Sequence, residues 1–186
     1  MREINFITSN ENKVKEFKQV LEPEIKVNHL FIEYPEPRSD YPEEIAKLAV
    51  KPLADIFNKA VVIEDSGLFI KALNGFPGTC SAYIHKRIGL NGILKLMEGV
   101  KNRKAFYKCA IGYCEPGKEP VVFVGSEEGE IATSIRGNYG FGHDPIFIPK
   151  GYDKTYGEME NVREVKKFRR IALLKLKKFL EKGDKN

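Results

Sequence analysis

Over the first 63 residues, short β-branched apolar runs alternate with stretches of helical period, and this succession confines the chain to a sheet covered by helices. Residues 3–7 alternate toward a strand. Thr8-Ser9-Asn10 then supply capping side chains, and Val14, Phe17 and Leu21 recur at helical spacing. Residues 25–32 read as a second strand. Ile45, Leu48, Ala49, Leu53, Ile56 and Phe57 mark a second helix, in which Pro52 is expected to set a kink. Ala60-Val61-Val62-Ile63 reads as a third, buried strand that ends at Ile63. The opening is therefore βαβαβ.

The period changes further along. After the turn Gly75-Phe76-Pro77-Gly78, a helical segment extends to about residue 97. Residues 104–115 and 119–135 then form two long strands about Glu115-Pro116-Gly117-Lys118, an antiparallel hairpin. Residues 145–149 are a last short strand, and 161–182 a terminal helix. Crossover and hairpin connections together predict an α/β fold with a mixed central sheet flanked by helices. At 186 residues without a repeat or linker, residues 1–186 are expected to form one domain. The chain starts straight into a strand, so neither a signal peptide nor a membrane span is expected. Three cysteines without disulfide or zinc spacing point to a reducing, cytoplasmic setting. The net charge of +5 comes largely from residues 163–182 and suits a small polyanion such as a nucleotide, with no nucleic-acid-binding signature beside it.

Several constellations carry possible chemistry. Glu64-Asp65-Ser66-Gly67 follows the third strand, where adjacent carboxylates are hard oxygen ligands suited to Mg²⁺; a capped turn is the plainer alternative. Thr8, Ser9, Asn10, Glu11, Asn12 and Lys13 stand at the start of the first helix, where free amides, the helix dipole and the Lys13 charge favour phosphate, although the segment taken alone, without the glycines of a Walker loop, reads more readily as an ordinary cap. Glu36, between two prolines, matters if it shares an ion with Asp65. The loop Gly137-Asn138-Tyr139-Gly140-Phe141-Gly142-His143-Asp144-Pro145 precedes a strand rather than a helix, which excludes a dinucleotide fingerprint. It offers either Phe141 and Asp144 to a purine or a tight turn with Phe141 in the core. Val162, Val165, Ala172, Leu173, Leu176 and Leu180 define an apolar arc on the terminal helix, and Arg169 falls inside it, so its guanidinium needs a partner, substrate or internal acid. Arg163, Lys166, Lys167, Arg170, Lys177 and Lys178 lie off the arc, on a solvated face.

Thr8-Ser9-Asn10-x-x-Lys13, Glu64-Asp65-Ser66-Gly67-Leu68, Ala72-Leu73-x-Gly75-x-Pro77-Gly78, Phe141-Gly142-x-Asp144-Pro145-x-Phe147 and Thr155-Tyr156-x-Glu158-Met159, in that order, resemble the inosine triphosphate pyrophosphatase family, also called the Ham1 family. The resemblance implies a Mg²⁺-dependent, homodimeric hydrolase that cuts ITP, dITP or XTP between the α- and β-phosphates. Its fold would have two lobes with an active-site cleft between them. By the same resemblance Asp65 is the catalytic acid residue and a metal ligand, with Glu36 the second ligand. Residues 8–13, Lys51 and Ser66 would serve the phosphates. Phe141, Gly142, His143, Asp144, Arg163, Phe168 and Arg169 would contact the rest of the substrate.

The chain departs from the family pattern at the terminal helix. Lys167-Phe168-Arg169 stands where Ser-His-Arg is usual, Arg163 takes the place of a usual lysine, and His143 that of a Trp or Tyr. An apolar Phe168 cannot read a keto group, so base selectivity is expected to be affected before hydrolysis. A Maf-type pyrophosphatase of different base preference and a non-catalytic nucleotide- or RNA-binding protein are the rival readings.

Overall fold

A computed structural model describes residues 2–182. The strands are β1 (Arg2–Ile7), β2 (Ile25–Leu30), β3 (Val61–Ile70), β4 (Pro77–Gly78), β5 (Lys104–Cys114), β6 (Val121–Ile131) and β7 (Phe147–Pro149). The helices are α1 (Glu11–Leu21), α2 (Pro42–Phe57), α3 (Ser81–Leu96), α4 (Val162–Val165) and α5 (Phe168–Lys182). The strands of the described residues order as β2-β1-β3-β5-β6-β7, with β4 beside β3. β1 pairs parallel with β2 and β3, whereas β4 pairs antiparallel with β3 and β7 with β6, so the sheet is mixed, as the connection types require. No helix of the described residues is long and apolar enough to cross a membrane.

Two compact units divide the chain. One takes the chain up to Asp65, Cys109–Gly125 and the chain from Arg169; the other takes Ser66–Lys108 and Ser126–Phe168. In the first unit α2 lays Ala46, Ala49, Val50, Leu53 and Ala54 against Ile7, Val61, Ile63 and Ala110. Burial of the Val, Leu and Ile side chains among these stabilises by about 1.5–3 kcal/mol each. The helix runs through Pro52 to Phe57, and its Leu48 and Ile56, expected on the inner face, are exposed instead.

Several boundaries differ from the sequence expectation: β2 stops at Leu30, β6 at Ile131, β7 starts only at Phe147, Pro77–Gly78 is a short strand rather than a turn, and two further differences bear on the site. β3 does not end at Ile63 but continues to Ile70, so Glu64-Asp65-Ser66-Gly67 is mid-strand rather than at a strand's end. Leu68, Phe69 and Ile70 resume the buried run after the polar interruption. Gly67 makes this possible, because a Cβ there would stand 2.0 Å from the carbonyl oxygen of Gly78 on β4. The terminal helix is likewise not continuous. Lys166 leaves α4 with ψ 119°, and α5 restarts after it, the amides of Lys167 and Phe168 donating to the Glu127 carboxylate at 2.8 and 3.4 Å. An acid at a helix start satisfies amides that have no intrahelical acceptor.

Candidate active site

In the first unit the turn after β1 is a side-chain cap. Asn10 is extended and its Oδ1 accepts from the amides of Asn12 (3.0 Å) and Lys13 (3.4 Å), while Thr8 Oγ1 accepts from the Asn10 amide at 3.1 Å. The amides of Asn12 and Lys13, expected to meet a phosphate, therefore serve the cap. Ser9 and Glu11 are exposed and Asn12 half-buried. What α1 does supply is the Lys13 side chain, 18% exposed, whose ammonium pairs with the Glu64 carboxylate and donates to the Glu64 carbonyl oxygen at 3.2 Å.

Strand alternation separates the two acids of β3: Glu64 is buried and Asp65 half-exposed. The Glu64 carboxylate also accepts from Arg169 Nε at 3.1 Å and from the Cys109 thiol at 3.2 Å, and Arg169 Nη1 reaches Glu16 of α1 at 2.5 Å. Two carboxylates thus compensate two cations, which is the condition for burying any of them. Burial works against charge on Lys13, yet Glu64 outweighs it and the ammonium is held above its ordinary range. Arg169 is shifted upward for the same reason, with Glu64 and then Glu16 overcoming burial. The Cys109 thiol is pushed up by burial and then by Glu64, so it stays an S–H donor. Arg169, 2% exposed, occupies the inward position that its place on the arc predicts, and its described partners are internal acids.

Sequence reading passed over Tyr34, a half-buried residue in the same unit as Glu36 and Asp65. The Tyr34 hydroxyl is driven well above its usual range, first by burial, then by the charges of Glu36, Asp65 and Glu64 and by a hydrogen bond to Glu36. The two expected metal ligands therefore act on the same phenol. Among the described residues no three His, Cys, Asp or Glu side chains form a metal-binding group. Two carboxylates fit Mg²⁺ all the same, since that ion commonly takes one or two carboxylates and completes its octahedron with substrate phosphate oxygens and water. Lys51 is tied elsewhere, to the Lys118 carbonyl at 3.1 Å and to Glu119 at 3.5 Å in the hairpin turn.

The second unit holds the glycine-rich loop, with Ser66 half-exposed on β3. Gly140 has φ 76°, and a Cβ there would lie 2.1 Å from Asp144 Oδ2, so the loop can fold its acid back only over a glycine. Asp144 Oδ2 accepts from the Phe141 amide at 2.7 Å and from Lys166 Nζ at 2.6 Å, and Oδ1 accepts from the Tyr107 hydroxyl at 3.5 Å. The Lys166 ammonium also sits 4.1 Å from the Phe141 ring centroid, within cation–π range. Phe141 and Gly142 are half-buried. His143 is buried with its ring edge-on to His85 at 5.1 Å, and burial, then His85, pushes it down to about 4. Phe168 is buried and stacked on Tyr107 at 4.7 Å, whereas Arg163 is exposed.

Lys166 is thus not on a solvated face, as its place off the arc suggested, but 4% exposed and ion-paired. Its spacing of four from buried Val162 was the available signal. Glu16 was missed too, an acid one position before buried Phe17 that an inward Arg169 calls for as a partner.

Against known proteins, the Ham1 family pattern matches residues 4–179. The dITP/XTP pyrophosphatase of Methanopyrus kandleri is 51% identical over 155 residues, 83% of this chain and 82% of its own. That of Thermococcus kodakarensis is 48% identical over 155 residues, 83% of each chain. The structure of the Staphylococcus aureus Ham1 protein superposes with a TM-score of 0.85 at 33% identity, covering 98% of this chain and 100% of its own.

Proposed function

Because the chain belongs to the Ham1 family, we propose that it is a nucleoside-triphosphate pyrophosphatase that hydrolyses the non-standard purine nucleotides ITP, dITP and XTP to the monophosphate and pyrophosphate. The observation that carries this reading is the match of residues 4–179 to the family pattern; the charged Lys13, Glu36 and Asp65 all lie in the first unit. Lys13 presents a cation to the phosphate chain. Its pairing with Glu64 keeps that cation in place, so its electrostatic contribution needs no reorganisation when charge develops on the leaving pyrophosphate. Asp65, half-exposed beside it on the strand, orients the attacking water and accepts its proton. Mg²⁺, held by Glu36 and Asp65, would neutralise phosphate charge and acidify a bound water. Phe141 stacks on the base, with Asp144 near its edge.

Cys80, Cys109 and Cys114 are unbridged thiols, which supports a reducing cytoplasm, and the family resemblance supports a homodimer. The reading is tested by separating the products of dITP turnover by anion exchange. Equimolar dIMP and pyrophosphate are expected; dIDP with orthophosphate would place the cut at the wrong anhydride and refute it.

A further inference from the structure

The glycine-rich loop 137–145, with Phe141 and Asp144, is the part of the second unit that the proposed function sets against the base. The carboxylate that anchors that loop, Asp144, is 1% exposed, and a buried carboxylate holds its geometry only while it is compensated. Its described cation is Lys166, at 2.6 Å. The same ammonium lies over the ring of Phe141 at 4.1 Å and stands 5.8 and 6.0 Å from the rings of Tyr156 and Phe168. Lys166 therefore touches both the acid and the aromatic ring that the loop offers to a purine. The short break between α4 and α5 puts it there, because a helix continuing through residue 166 would not have turned its backbone to ψ 119°. Phe168 has become part of the same support. It stacks on Tyr107, whose hydroxyl reaches the other oxygen of Asp144.

We propose that Lys166 is the positioning residue for base discrimination: by pairing with Asp144 and covering one face of Phe141 it holds the 137–145 loop in the form that accepts a 6-oxopurine. Lys166 acts through Asp144 and Phe141 and not on the phosphates. Its loss falls on the binding of the base. This inference rests on the proposed pyrophosphatase activity.

The test is steady-state hydrolysis of dITP, XTP and ATP by the full chain, its Lys166→Met and Lys166→Arg variants and the double variant Lys166→Met/Asp144→Asn, with thermal melts of each. In Lys166→Met, KM for dITP and XTP is expected to rise roughly tenfold or more, with the loss carried by KM rather than kcat and the preference over ATP reduced. Lys166→Arg, which keeps the charge, recovers most of the preference. If Lys166→Met does not fold, the double variant, which removes both buried charges, is expected to fold and to show the same raised KM. Wild-type KM values and wild-type preference in Lys166→Met or in the double variant would overturn the inference while leaving the pyrophosphatase reading intact. A wild-type chain that turns over none of the three nucleotides would overturn both.

Discussion

His143 provides a quantitative test of the second unit's packing. Its imidazole is 3% exposed, lies edge-on to His85, and is depressed from its ordinary 6.5 to about 4, by burial first and the neighbouring imidazole second. Between those two values the unfolded chain carries a proton at this site that the folded chain does not. Stability therefore rises with pH across the window, is fully present above 6.5, and is lost as pH falls toward 4. A gap of that size corresponds to about 3 kcal/mol at most. His143→Phe replaces the ring by one of similar shape that cannot titrate. Urea denaturation of both proteins at intervals from pH 7 to pH 4 should show the wild type losing about 3 kcal/mol relative to the variant across that range. Parallel pH profiles would refute the reasoning, as would an NMR titration of the His143 ring with its midpoint near 6.5.

Two further outcomes follow from the packing. Arg169→Met strands Glu64 and Glu16 in the interior without their shared guanidinium and is expected to cost about 3–5 kcal/mol by denaturant unfolding; a change under 1 kcal/mol would contradict the pairing. Gly67→Ala drives a methyl into the Gly78 carbonyl of β4 and should cost about 1–3 kcal/mol or more and lower the melting temperature, whereas the same change at Gly99, where a Cβ meets nothing within 4 Å but φ is 71°, tests backbone strain alone.

The βαβαβ opening, the hairpin and the mixed sheet were legible in sequence because each rests on a local period, and local periods survive folding. The readings that moved depended on distant partners. Glu64 to Gly67 looked like the end of a strand, since two acids, a serine and a glycine interrupt an apolar run. β3 nevertheless continues because β4 approaches at Gly67 and because Lys13 and Arg169 compensate Glu64. Residues 161–182 looked like one helix because periodicity cannot show that Glu127, some 40 positions upstream, caps a second helix start. Asp65, Glu36 and Lys13 could be named as candidates from the sequence. Tyr34 could not, since its importance comes from the acids that the fold sets beside it, and Glu16 and Lys166 left only weak signals, a place beside buried Phe17 and a spacing of four from buried Val162.

Whether Asp65 acts with Lys13 and Glu36 to split the α–β anhydride of non-standard purine triphosphates is decided by pyrophosphate release from ITP, dITP, XTP, GTP and ATP with and without Mg²⁺, beside Asp65→Asn. Mg²⁺-dependent turnover of ITP, dITP and XTP well above GTP and ATP is expected, reduced by roughly 10²–10⁴ in Asp65→Asn while that variant keeps its melting temperature. Undiminished turnover by Asp65→Asn, or no turnover of any of the five by the wild type, would contradict it.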